Sequence, residues 1–313
     1  MKIAIAGAGG MGSRFGLYLK QAGNDVTLID GWKDNIEAIR KNGMIASVNG
    51  KEVIEHFDVY QPSEIPDEDM KQDLIVVLVK APQLDAMMTA LKPMIHKDTY
   101  VLCLMNGIGH EDTLKKYVPM EQILLGVTMW TAGMAGPGRP VLNGDGNVEI
   151  QNLKPEGEAI ARKTVDVFAK AGLKAVYSEN VKYSIWRKAC VNGVVNGLCS
   201  ILDCTMAEYG SIDESDEITK TIVSEFASVA AKEGVNLDQE EVVNHIIASF
   251  APDQAGTHYP SMYQDLIKNH RKTEIDIING AVVRKGKQYG IPVPYCTLIT
   301  QLVHGKEKLL HCK

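Results

Sequence analysis

The sequence predicts two domains of different class, an α/β domain built on a parallel sheet and, after it, an all-α domain. Three observations predict this. The chain has 313 residues, enough for two cores of ordinary size. Its first half alternates short continuous apolar runs with helical spacing, as covered parallel strands and their crossover helices do. From about residue 180 the strand-like runs cease and apolar spacing near 3.6 takes over.

Residues 2–6, KIAIA, read as a short strand that runs directly into Gly7-Ala8-Gly9-Gly10-Met11-Gly12. A helix follows on Phe15, Leu19 and Ala22 and stops at Gly23, and a second strand, Val26 to Ile29, ends at Asp30. Strand, glycine turn, helix, strand and acid within about thirty residues is the context a dinucleotide fingerprint requires. The first glycine permits the tight turn, the second lets backbone approach a pyrophosphate, and the third lets helix and sheet pack closely. The half is therefore read as a Rossmann-type domain, with Gly7, Gly9, Gly10, Met11 and Gly12 facing the cofactor. Asp30 can accept hydrogen bonds from the ribose hydroxyls and would repel a 2′-phosphate, which favours NADH over NADPH. Lys33 and Arg40 lie near enough in sequence to accommodate a phosphate, so NADPH stays open as the alternative.

LIVVLVK at 74–80 and YVLCLMNG at 100–107 are further buried strands ending in Lys80 and Asn106. Ligands of open parallel sheets bind beyond such ends, so both residues are pocket candidates. Between them APQLDAMMTALKPMI has helical period, with Pro82 in its first turn. ILLGVTMWTAG and NVEIQNL continue as strands around GPGRP, residues 155–171 form a helix, and Lys174 to Tyr177 a last strand. The domains are expected at 1–179 and 180–313.

In the second half, residues 212–233, 238–250, 259–289 and 296–310 all show helical spacing. WRKACVNGVVNG, residues 186–197, is a Val-rich helix on which Lys188, Asn192 and Asn196 recur every four residues. That spacing puts them on one narrow stripe, each about 6 Å further along the axis. A solvated edge is the plain alternative, since Lys is rarely buried unpaired. Glu274 shares the phase of Ile267, Ile278 and Ala281 in the 259–289 helix, so it needs a cationic or hydrogen-bonding partner unless it points to solvent.

Formal net charge is −6 without a basic run, and no segment reaches a membrane span, so neither nucleic acid nor membrane is expected as a partner. The amino terminus lacks signal-peptide features, which makes the cytoplasm the expected location. The six cysteines show no Cys-x-x-Cys pair or metal-ligand grouping and are expected as free thiols, with no metal site.

These blocks resemble the ketopantoate reductases (2-dehydropantoate 2-reductases) and the D-2-hydroxyacid dehydrogenases built on the same fold, including D-mandelate dehydrogenase. The resemblance runs through GAGGMG at 7, LVKAPQLDA at 78, MNGIGHED at 105, WRKACVN at 186, PSMYQDLIKNHRKTEID at 260 and GIPVPYCT at 290. It implies an NAD(P)-dependent oxidoreductase in which Lys188 is the catalytic lysine and general acid, with Glu274 as its partner carboxylate. It further implies that Asn192, Asn196 and Ser261 contact a 2-oxo acid (the 2-hydroxy acid in reverse) and that Lys80 and Asn106 lie where nicotinamide and substrate meet. A homodimer is compatible with it. Lysine chemistry suits the reaction, because hydride arriving at a carbonyl carbon leaves negative charge on oxygen that an ammonium can stabilise and protonate.

Three departures bear on substrate. His258 stands where ketopantoate reductases usually carry asparagine, Gly197 where proline usually follows the second stripe asparagine, and no basic residue sits immediately beside Asp30. These favour NADH-linked reduction of a branched or aromatic 2-oxo acid, with NADPH-dependent ketopantoate reduction in pantothenate biosynthesis as the close alternative. A non-catalytic dinucleotide sensor would have no use for a proton donor at a hydride site. A 3-hydroxyacid or 6-phosphogluconate-type dehydrogenase would show a different lysine context.

Overall fold

A computed structural model describes residues 1–66, 70–251, 253 and 256–312. The chain divides into two compact units, one of Met1–Met105 with His110–Val181, the other of Asn106–Gly109 with Lys182–Lys313.

The first unit begins with β1 (Lys2–Ala6), α1 (Gly10–Gln21), β2 (Asp25–Ile29) and α2 (Lys33–Asn42), followed by β3 (Met44–Val48), β4 (Lys51–Glu55) and β5 (Asp58–Tyr60). Next come β6 (Leu74–Val77), α3 (Leu84–Ala90), β7 (Tyr100–Cys103), α4 (Glu111–Leu114) and β8 (Ile123–Thr128). The unit closes with β9 (Gly133–Gly136), β10 (Arg139–Leu142), β11 (Val148–Asn152), α5 (Glu158–Lys170) and β12 (Ala175–Tyr177). Eight strands form the main sheet in the order β12-β11-β8-β7-β6-β1-β2-β5. They are parallel except where β11 meets β8. Leu74, Ile75, Val76 and Val77 are all fully buried, which is why β6 reads as an unbroken apolar run instead of alternating. Strand order reverses between β1 and β6, so the glycine turn leaving β1 lies at the switch point of the sheet.

Sequence periodicity misses the second sheet, β4-β3-β10-β9. The strands flanking GPGRP belong to it, and the ILLGVTMWTAG segment breaks after Thr128 instead of running on. Buried Arg14 ties this sheet's neighbourhood to α1, donating to the carbonyls of Thr131 at 3.1 Å and Asn143 at 2.7 Å. The APQLDAMMTALKPMI segment is helical only over α3, with 3₁₀ turns on either side.

The second unit holds α6 (Val181–Leu202) from Lys182 onward, α7 (Met206–Gly210), α8 (Ser215–Lys232), α9 (Gln239–Ser249), α10 (Ser261–Tyr263), α11 (Asn279–Tyr289) and α12 (Pro294–Leu309). The continuous helix expected over 259–289 does not form. After α10 come a π turn at Gln264–Lys268 and a 3₁₀ turn at Ile275–Ile277, and only then α11. Tertiary bonds outcompete the local helical preference here: buried Glu307 of α12 accepts both the amide and the hydroxyl of Thr273 at 2.7 Å. Helix α6 packs through glycines. A Cβ on Gly193 would meet Phe226 Cζ at 2.4 Å and one on Gly197 would meet Ile299 Cγ2 at 2.5 Å, so small residues there let α8 and α12 approach. A buried carboxylate starts α12, since Glu225 accepts the amides of Tyr295 and Cys296, each at 2.8 Å.

Candidate active site

In the first unit the glycine turn has the form a dinucleotide needs. Gly7 has φ +102°, and a Cβ there would lie 2.8 Å from the backbone of Leu78 and Val79, so it must be glycine on both counts. Gly12 permits the first turn of α1 to pack on the strand end, since a Cβ would fall 1.7 Å from the Gly7 carbonyl oxygen. A Cβ on Gly9 would meet nothing within 4 Å, so at the middle glycine the backbone faces open space, as close approach of a pyrophosphate would require. The first-turn amides of Gly10, Met11 and Gly12 have no acceptor within the helix and suit phosphate oxygens.

Asp30 follows β2 directly and is half-buried. Burial raises its carboxyl pKa, while the amides of Trp32 and Ala8 pull it back, so the carboxylate lies against the glycine turn itself. Its Oδ1 accepts the Trp32 amide at 2.7 Å. The two cations that could neutralise a 2′-phosphate are engaged elsewhere: Lys33 with Glu37 at 3.6 Å, Arg40 with Glu64 at 2.8 Å and with the Val59 carbonyl at 2.9 Å. Asn35 was not visible to motif reading. Fully buried on α2, it donates to the Ala8 carbonyl at 3.0 Å and accepts the Gly138 amide at 2.7 Å, pinning the glycine turn to the β9–β10 turn. An amide in the same apolar phase as Ile36 and Ile39 was the available signal. Lys80 is exposed and follows β6 by three residues.

In the second unit α6 is unbroken, so Lys188, Asn192 and Asn196 do share one line. They do not form a solvated edge: Asn196 is 4% exposed, and Lys188 and Asn192 are half-buried. Burial lowers Lys188 to about pKa 8, and the negative charge of Glu274 opposes the fall. The two residues are thus electrostatic neighbours, although Glu274 does not reach that place by helical phase. It precedes the 3₁₀ turn in non-helical backbone, φ −96° and ψ 21°, so the periodic argument for its burial fails. What holds it is Glu307, through Thr273, whose hydroxyl also accepts the Ile275 amide at 3.3 Å. Glu307 lies in the buried phase of α12 with Cys296, Thr300 and Val303, a carboxylate among core positions that periodicity could have flagged.

Asn106 belongs to the helical unit despite following β7. The Ile108 amide bonds the Ile277 carbonyl at 2.9 Å, and Gly107, at φ +96°, fits closely under Ile277. Asn106 is thereby brought to the same turn as Glu274. Ser261 is exposed at the start of α10, a short helix tied to the residue that follows α6. There the Tyr263 hydroxyl donates to Asp203 at 2.6 Å, and the exposed His258 gives its carbonyl to the Met206 amide at 3.4 Å. Among the described residues no His, Cys, Asp and Glu grouping could hold a metal ion. The Cys190 thiol is buried and its pKa pushed up, which makes it inert.

A glycine turn of the form a dinucleotide needs in one unit, and a lysine whose pKa burial lowers near a carboxylate in the other, fit an NAD(P)-dependent oxidoreductase acting on CH–OH groups. Residues 3–155 match the family model "Ketopantoate reductase PanE/ApbA" and residues 180–307 its C-terminal counterpart. The chain belongs to the ketopantoate reductase family. It is 56% identical over 313 residues to a 2-dehydropantoate 2-reductase of Lactococcus lactis subsp. lactis, covering all of both chains. It is 45% identical over 311 residues to one of Streptococcus pyogenes serotype M1, covering 99% of each. Among solved structures, a D-mandelate dehydrogenase bound to NADH and anilino(oxo)acetate superposes with a TM-score of 0.96 at 55% identity, with complete coverage of both chains.

Proposed function

We propose that this enzyme reduces a branched or aromatic 2-oxo acid to the D-2-hydroxy acid with NADH. The observation that carries the chemistry is Lys188, lowered to about pKa 8 beside Glu274: such a lysine gives up its proton readily near neutral pH. A bound nicotinamide supplies the hydride to the carbonyl carbon. Lys188 stabilises the charge developing on the carbonyl oxygen and donates the proton that completes the alcohol, then regains one from solvent. Glu274 keeps the lysine protonated and in place. Asn192 and Asn196, and Asn106 with Ser261, orient the oxo acid and its carboxylate, while the turn from Gly7 to Gly12, with Asp30 and Lys80, binds the cofactor.

NADH is favoured because Asp30 lies against the glycine turn while Lys33 and Arg40 are paired with acids. The likeness to D-mandelate dehydrogenase supports an aromatic or branched acid, since anilino(oxo)acetate is an aryl-bearing 2-oxo acid analogue. A second reading, ketopantoate as substrate, is favoured by the names of the lactococcal and streptococcal relatives. Gly197 weighs less on this choice than its position in the sequence suggests, because it packs on Ile299. An initial-rate matrix crossing NADH and NADPH with ketopantoate, 2-oxoisovalerate, 2-oxoisocaproate, phenylpyruvate and benzoylformate decides between them. The expected result is a higher kcat/KM with NADH and with an aromatic or branched acid; preference for NADPH and ketopantoate overturns the proposal.

A further inference from the structure

Two large aromatic side chains are exposed among the described residues, Trp32 and Tyr295, and Trp32 stands two residues beyond Asp30. The other tryptophans, Trp130 and Trp186, are buried at 9% and 4% exposure, while Trp32 keeps 40% of its surface open. An isolated exposed apolar side chain needs no explanation by itself. Its location does, since the loop after β2 borders the open, carboxyl-terminal edge of a parallel sheet, where ligands of this architecture bind.

We infer that Trp32 is the stacking platform for the adenine ring of the dinucleotide, an inference that rests on the NADH reading above. Asp30, taken there as the ribose ligand, fixes where the base must lie, because adenine is attached to the sugar carbon next to the one bearing the 2′-hydroxyl. Two residues of chain span at most about 7 Å, so the Trp32 backbone stays within that reach of the Asp30 backbone, whose carboxylate would hold the sugar. The same carboxylate holds this backbone still. Its Oδ1 accepts the Trp32 amide at 2.7 Å, closing an Asx turn, and the Trp32 carbonyl accepts the amides of Asn35 at 3.0 Å and Ile36 at 3.1 Å as α2 begins. Only the side-chain torsions remain to be set by the ligand. An indole so mounted offers a broad face at low ordering cost, and every purine presents a π-face to it. Asp30 then performs two tasks, recognising the sugar with one oxygen and fixing the base platform with the other.

Calorimetric titration with ADP-ribose, which carries the adenosine half without nicotinamide, tests this alongside intrinsic fluorescence. Trp32→Ala should raise the Kd for ADP-ribose by about tenfold or more, the usual effect of removing one base-stacking aromatic, whereas Trp32→Phe should stay within about threefold of wild type. Binding should quench wild-type fluorescence, and Trp32→Phe should abolish the quench while Trp130 and Trp186 continue to emit. Reduced nicotinamide mononucleotide, which lacks adenine, should bind wild type and Trp32→Ala equally. Thermal melts of both variants establish that they are folded. Equal ADP-ribose affinity in wild type and Trp32→Ala overturns the platform and leaves the NADH reading standing; failure of wild type to bind ADP-ribose at all overturns the NADH reading itself.

Discussion

Raising the pH should switch the reduction off through Lys188, and exchanging Glu274 for glutamine should move the pH at which this happens. Burial disfavours the ammonium and Glu274 restores part of it, leaving a pKa of about 8. Reduction needs the protonated lysine, so kcat/KM for the oxo acid should be level below that value and fall about tenfold per pH unit above it. One unit above, about one lysine in eleven still carries its proton. Oxidation of the hydroxy acid needs the neutral amine, so its rate should rise through the same range. In Glu274→Gln burial still disfavours the ammonium, and the negative charge of Glu274 no longer opposes it. An adjacent opposite charge is worth about 1–3 in pKa, so the falling limb should move acidward by about one pH unit or more. The assay is the initial rate of NADH oxidation from about pH 6 to about pH 10 at constant ionic strength, with rates at saturating and limiting substrate separating kcat from KM. A flat profile in wild type, or a limb that stays in place or moves to higher pH in Glu274→Gln, refutes the acid–base assignment.

Lys188→Ala should lower kcat by about 10²-fold or more while the dissociation constant for NADH changes little, as steady-state kinetics and cofactor titration will establish. Asn192→Ala and Asn196→Ala should act chiefly on KM for the oxo acid, because an amide orients substrate without supplying a proton; a loss confined to kcat would contradict this. Gly197→Ala drives a Cβ into Ile299 Cγ2, at 2.5 Å, and should cost about 1–3 kcal/mol in denaturant unfolding; an unchanged midpoint would contradict this. Glu225→Gln keeps the shape but removes the charge that starts α12, where Tyr295 and Cys296 donate their amides, and should lower Tm in a thermal melt.

What the sequence by itself determined is local. The glycine turn, its flanking strands and Asp30 fall within about thirty residues, and each obeys a short-range rule: a positive φ at Gly7, a close approach at Gly12, an acid at the strand end. The stripe of Lys188, Asn192 and Asn196 is equally local, because helical period alone aligns residues four apart. Tertiary structure decided the partnerships. Periodicity carried Glu274 onto a helix that does not exist, because a buried carboxylate on α12 binds Thr273 and holds the segment in a 3₁₀ turn. It could not show that Asn106 leaves its strand to join that turn, that Asn35 pins the glycine loop, or that Arg40 is taken by Glu64. Periodicity records which face of an element is apolar, whereas the partner of a buried polar group is settled by which distant surface arrives to replace its water, and that depends on the packing of the whole unit.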